Sequence, residues 1–260
     1  MVPARGARDL GRRAEPARAR FATWASDARC CAAMAGDVRA VLFDVAGTLA
    51  MPEDRDAWLA AAADAAGITL DGDAAALAIR LEGAGRPGGP YPASVPEPLR
   101  EAYAARDRDP RAHRAAYTGL LSTVAEPRLA TALYERILDP DGWIVYADSV
   151  RVLRALRERG VRVAAVSNVG YDLRPVLRAH GLLELFDAVV FSFEAGSIKP
   201  EPAIFLGACE ALGVEPAAAL MVGDHAAADG GAADAGIRTL LLPMSPAGTT
   251  HGLAAVLALV

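Results

Sequence analysis

Lysine is almost missing from this chain. Of its 27 basic residues only Lys199 is lysine and 26 are arginine. Arginine is therefore the default cation, and the one lysine marks a place where a compact ammonium on a flexible stem is wanted. Cysteine is scarce as well. Cys30, Cys31 and Cys209 make no even, spaced framework, which excludes a disulfide scaffold and points to a reducing cytoplasm. Aromatic residues are 6% against 53% hydrophobic, so the core is built mainly from Ala, Val and Leu. No apolar run approaches the ~20 residues a membrane helix needs. Residues 253–260 are apolar but short, and read as a terminal helix docked on the core. A net charge of −5 gives no electrostatic support to nucleic-acid binding.

That charge is uneven. Residues 1–33 hold seven arginines against Asp9, Glu15 and Asp27, an excess of four positive charges, so the rest of the chain carries nine negative ones. The basic segment lacks the apolar stretch of a secretory signal, and polar sequence follows Arg12-Arg13 where a twin-arginine signal would turn apolar. Residues 1–35 are expected to be a disordered basic leader.

From residue 39 onward the pattern is strand, long helical insert, then alternating helix and strand. Ala40 to Phe43 is an apolar run ending at Asp44, the signature of a buried strand entering a loop. Helical spacing follows at 54–66, 73–82, 110–124 and 127–138, broken by a Gly/Pro loop over 83–98. Pro127 suits the first position of its helix and Pro140 lies just past the end. Nothing in 51–145 alternates like a strand, so the insert is expected to be all α. Beyond it, helices at 149–159, 173–180, 202–212 and 226–235 separate strands at 161–166, 187–193, 219–222 and 239–242. Strands separated by ~10-residue helices imply right-handed crossovers and a parallel sheet. The expected fold class is α/β, with a Rossmann-like parallel core (36–50 and 146–260) and an inserted all-α cap (51–145). Ligands of such sheets bind at the carboxyl ends of the strands.

The polar motifs fall at those ends. Asp44 can attack an electrophile and ligate a metal while Gly47 turns the backbone away; it can equally cap a turn. Ser167-Asn168 ends a strand before a helix, where a hydroxyl and backbone N–H groups suit an anion or simply a helix cap. Lys199 sits between Ile198 and Pro200-Glu201-Pro202, and the prolines stiffen its approach. Asp224 and Asp229 are spaced to serve a hard cation, one on the strand end and one in the first helical turn. Alternatively, Asp224 caps the helix and Asp229 is a surface residue.

In their order, Asp44-Val45-Ala46-Gly47-Thr48, Ser167, Lys199, and Gly223-Asp224 through Asp229 resemble the four motifs of the haloacid dehalogenase superfamily. The resemblance spans residues 39–243, with the insert where that family carries its first-position cap. It implies a Mg²⁺-dependent hydrolase acting on a small phosphorylated metabolite. Asp44 would be the covalent nucleophile, and Asp44, the Ala46 carbonyl and Asp224 would hold the metal. Ser167 and Lys199 would neutralise the transferring group, with Thr48 and Asn168 completing the substrate-binding set. Asp229 would orient the others.

One position departs from the pattern. The family's phosphatases carry a second Asp two residues after the nucleophile, which protonates the leaving oxygen and then activates water, work worth roughly 10²–10⁴ in rate. Here that position is Ala46. The phosphonatases of the family also carry Ala but need a cap lysine, which this chain lacks. Its dehalogenases place Tyr there and handle the fourth motif differently. Three readings remain: a phosphatase-like hydrolase with another donor (Glu53, His113 or His225) or a good leaving group, a catalytically weak phosphometabolite-binding or scaffold protein, and, behind both, a haloacid dehalogenase.

Overall fold

The computed structural model describes residues 37–260; the expected leader lies outside the described residues. Strand β1 (Ala40–Phe43) is buried along its whole length. Its side chains alternate between two apolar layers. Val41 and Phe43 face one cluster and Ala40 and Leu42 the other. Strands β4 (Arg162–Ser167) and β6 (Ala219–Gly223) divide in the same way, Val163, Ala165, Leu220 and Val222 on one side and Ala164, Val166, Ala219 and Met221 on the other. Burial on both faces is why these strands read as unbroken apolar runs.

The described residues form one five-stranded sheet in the order β5-β4-β1-β6-β7, with β5 at Ala188–Phe191 and β7 at Arg238–Leu241. All four pairings are parallel. After β1 the chain builds outward through β4 and β5, then returns to the other side of β1 for β6 and β7. That reversal opens a crevice at the carboxyl ends of β1, β4 and β6.

The insert carries five α-helices: α1 (Arg55–Ala66), α2 (Ala74–Gly85), α3 (Arg100–Ala105), α4 (Pro110–Leu121) and α5 (Pro127–Leu138). Asp54, Asp73 and Asp109 cap the first, second and fourth by accepting from backbone N–H groups of the first turn. The expectation of an all-α insert is corrected at its edges. Strands β2 (Ala50–Pro52) and β3 (Trp143–Val145) pair antiparallel and form a ribbon where the chain leaves and re-enters the core. Three residues per strand are too few to show a period in sequence. Trp58, Leu59, Leu81, Leu121 and Leu133 of the insert share one contiguous apolar cluster with Val41 and Phe43 of the sheet.

The other helices are α6 (Ser149–Glu158), α7 (Arg174–Ala179), α8 (Ser192–Ala195), α9 (Pro202–Leu212) and α10 (Ala226–Asp229). The last expected helix, 226–235, is α-helical only over its first four residues and continues as a 3₁₀ helix over Gly230–Ala235. The C-terminal apolar residues dock through a 3₁₀ turn, Leu253–Ala258, burying Leu253 and Val256. Asp148, buried just before α6, anchors this segment by accepting from the N–H groups of His251, Gly252 and Leu253 at 2.9, 3.1 and 2.9 Å. Because removing that carboxylate orphans three donors, Asp148→Ala should cost about 2 kcal/mol or more. The check is the urea midpoint, which should fall at unchanged slope; an unaltered midpoint would show that the anchor carries no stability.

Candidate functional site

Four strand ends and loops bring the polar motifs together. Asp44 leaves β1 with its N–H donating to the Val222 carbonyl at 2.9 Å, which fixes the end of β1 to β6. Lys199 reaches in from the loop before α9. Its Nζ lies 2.7 Å from Asp44 Oδ1 and 2.7 Å from Asp229 Oδ1. Lys199 is 4% exposed and Asp229 0%. The other Asp229 oxygen accepts the His225 N–H at 2.9 Å, so Asp229 serves as a fixed strut beneath the lysine and the loop after β6.

Asp224, at the end of β6, accepts from the Thr48 hydroxyl at 3.0 Å. Its carboxylate packs directly over Gly47, whose φ is 93° and where a Cβ would come 2.5 Å from Asp224 Oδ2. Gly47 is thus required twice, for its left-handed backbone and for its bareness. Gly223 is bare for a similar reason, since a Cβ there would come 2.1 Å from Asp229 Oδ2. Carboxylate oxygens of Asp44, Asp224 and Asp229 all lie within 4.8 Å of one another.

Crowding shapes the electrostatics. Burial raises the Asp44 carboxyl, Lys199 pulls it down, and Asp229 and Asp224 push it up, which together leave it at about 7. Burial also raises Asp224, against the Thr48 hydrogen bond. For Lys199, burial works against the charge, but the Asp44 and Asp229 carboxylates more than offset it, so the ammonium is held protonated. Three carboxylates face one ammonium. The donor set is all oxygen and formally two negative charges in excess, which suits a hard divalent cation such as Mg²⁺.

Asp44, Ala46, Gly47, Ser167, Asn168, Lys199 and Asp224 line one cavity of about 970 Å³. Ser167, at the end of β4, is buried beside it. Two of the residues expected to bind substrate have their polar groups directed elsewhere. The Thr48 hydroxyl is given to Asp224. The Asn168 amide donates to the Lys199 carbonyl at 2.8 Å and accepts the Lys199 N–H at 2.7 Å. Asn168 therefore latches the lysine loop to the end of β4.

Of the three substitute proton donors, Glu53 and His113 are engaged and His225 only at one ring nitrogen. Both Glu53 oxygens accept from Arg136, at 2.8 and 3.0 Å. His113 Nδ1 meets the Tyr134 hydroxyl at 2.9 Å, and burial, helped by Arg106, lowers the imidazole to about 3, so it stays neutral. His225 Nδ1 accepts the Ala228 N–H at 3.1 Å. The insert lines the cavity with Arg55, Arg86, Tyr91, Arg106 and Tyr117. No sequence signal marked these, because one arginine among 26 has nothing to distinguish it.

The family model for "Hydrolase: haloacid dehalogenase-like hydrolase" matches residues 38–236. The haloacid dehalogenase-like hydrolase domain-containing protein 3 of Danio rerio is 37% identical over 125 residues, 48% of this chain and 52% of that protein. An (S)-2-haloacid dehalogenase 1 of Pseudomonas sp. (strain CBS-3) is 35% identical over 112 residues, 42% of this chain and 49% of that protein. The chain thus spans about half the length of the curated relatives it matches. A crystal structure of a HAD phosphatase from Thermococcus onnurineus superposes with a TM-score of 0.53 at 25% identity, covering 84% of this chain and 95% of that one.

The raised Asp44 carboxyl has a consequence for stability. Between the unfolded value near 3.8 and the folded value near 7, the native state holds a proton that the unfolded state has released. Native stability therefore falls as pH rises through that window. In metal-free buffer, Asp44→Asn should melt higher than wild type at pH 8, with the difference shrinking towards pH 4. Melting temperatures of the two proteins across pH check this, and a difference independent of pH would contradict the burial argument.

Proposed function

The chain belongs to the haloacid dehalogenase-like hydrolases, and from that premise we propose a divalent-metal-dependent hydrolase that works through an aspartyl intermediate on Asp44 and takes small phosphorylated molecules. The observation that carries this reading is the Asp44–Lys199–Asp229 chain of ion pairs at the switch-point crevice, with Asp224 alongside.

A cation fits the donor set described above. Asp44, the Ala46 carbonyl and Asp224 would hold Mg²⁺, which when bound supplies Lewis-acid stabilisation of charge on the phosphoryl oxygens. The remaining work falls to the chain's own residues. Lys199 holds one Asp44 oxygen, which orients the other for attack on phosphorus. The P–O bond to the alcohol breaks as the Asp44–phosphorus bond forms, and Lys199 and Ser167 balance charge on the transferring group. Water then adds to the acyl phosphate, releasing inorganic phosphate and the free carboxylate.

Proton transfer is the weak point. Ala46 is only half-buried and lines the cavity at the position where the family's phosphatases carry a second acid, and a methyl group moves no proton. With Glu53 and His113 engaged, His225 is left as a donor only through its Nε2, so the reading favours substrates whose leaving group departs with little help. The same observation supports the second reading, a phosphometabolite-binding protein of weak turnover. The relative named a dehalogenase leaves halide release as a third, minor reading. We further propose a reducing, cytoplasmic setting, supported by Cys209, buried as a free thiol; among the described residues no helix is long and apolar enough to cross a membrane.

Two substitutions test the proposal together. Asp44→Asn should abolish Mg²⁺-dependent hydrolysis while the fold is kept, because an amide is neither nucleophile nor good ligand. Ala46→Asp should raise kcat/KM for an alkyl phosphate by roughly tenfold or more and change an aryl phosphate little, since p-nitrophenol leaves without a proton. Turnover retained in Asp44→Asn would move the nucleophile elsewhere, and an unchanged alkyl value in Ala46→Asp would sink the proton-transfer argument.

A further inference from the structure

Among the described residues no carboxylate is in ion-pair contact with Arg86, a buried cation. It follows α2, is 4% exposed, and lines the same cavity as Asp44. Its Nη2 donates to the Glu53 carbonyl at 2.6 Å, and its guanidinium lies 4.7 Å from the centre of the Trp58 ring. Neither contact neutralises it. Its Nε–H is buried with no hydrogen-bond partner.

The other arginines of the insert that line the cavity differ on the decisive point. Arg55 and Arg106 also have an unpartnered Nε, but each is paired with an acid, Arg55 with Glu82 and Arg106 with Asp107, both at 3.2 Å. Glu53, whose carbonyl Arg86 touches, has both carboxylate oxygens committed to Arg136. Burial lowers Arg86 and the charges of Glu82, Glu53 and Asp54 oppose it, which together leave it at about 10, so it is charged at neutral pH.

A buried, unpaired guanidinium is among the costlier features a fold can keep, and an apolar side chain of similar volume would pack on Trp58 without that cost. What a guanidinium offers in return is a planar edge of donors that matches a carboxylate. We propose that Arg86 is a specificity-determining residue that binds a carboxylate of the substrate, while the phosphoryl group of the same molecule is held at Asp44. The substrate class is then phosphorylated carboxylic acids, not phosphates of neutral alcohols. This rests on the phosphohydrolase reading above.

The test compares alkyl phosphates that end in a carboxylate with the matching primary amides, two to four carbons separating the ends, with Mg²⁺ present. In the wild type, kcat/KM for the best acid should exceed that for its amide by roughly ten- to hundredfold, the worth of a charge-assisted hydrogen bond. In Arg86→Gln that ratio should fall towards one. Arg86→Lys, which keeps the charge but loses the planar edge, should give an intermediate ratio, and it decides the matter if Arg86→Gln does not fold. A wild-type ratio near one at every chain length, or a ratio unchanged in the variants, overturns the proposal. If no ester is hydrolysed, the hydrolase reading fails by itself. Calorimetry with the corresponding phosphonates and Mg²⁺ then settles Arg86: acid binding tighter than amide in wild type but not in the variants supports it, and equal or absent binding overturns it.

Discussion

The ammonium of Lys199, 2.7 Å from both Asp44 and Asp229, is the contact on which the rest of the site depends. Three aspartates meet in the crevice, Asp44 and Asp229 buried and Asp224 half-buried, and without a cation between them their mutual repulsion would drive at least one to take up a proton. Lysine suits the place because a single compact charge can touch two carboxylates from different directions, where an arginine fork would need them in one plane. The surrounding architecture serves that contact. Asn168 pins the lysine's own backbone, and Asp229 ties the base of the site to the loop after β6.

Space is rationed as tightly as charge. Gly47 and Gly223 each lie against an aspartate so closely that a methyl group would collide with it. Thr48 spends its hydroxyl on Asp224. The carboxylates are therefore held by steric walls and hydrogen bonds before any ligand arrives, which is the preorganisation that electrostatic catalysis requires. Ala46, in the middle of this frame, offers a backbone carbonyl but no side chain that can move a proton. Under the proposed mechanism, such a site would form its intermediate readily with a good leaving group and resolve it slowly.

Much of this was legible in sequence because its physical causes are local. Strands buried on both faces wrote themselves as unbroken apolar runs, glycines marked the helix ends, and Lys199 stood out in a chain that otherwise uses arginine. The order of the motifs carried the identification of the core. Other features depend on what touches what. Thr48 and Asn168, read as substrate ligands, face Asp224 and the Lys199 backbone. The β2–β3 ribbon is too short to carry a period. Arg86 became distinctive only once its partners, and its lack of a carboxylate, could be seen.

The proposed covalent role of Asp44 is open to a direct chemical assay. Enzyme in excess is mixed with p-nitrophenyl phosphate and Mg²⁺, quenched in acid within a single turnover, and reduced with borohydride, which converts an aspartyl phosphate to homoserine. Mass spectrometry of the peptide that carries position 44 then reads the result. The account predicts homoserine at position 44, rising together with a burst of nitrophenolate and absent when substrate is omitted. Full release of nitrophenolate with position 44 unmodified throughout would contradict it.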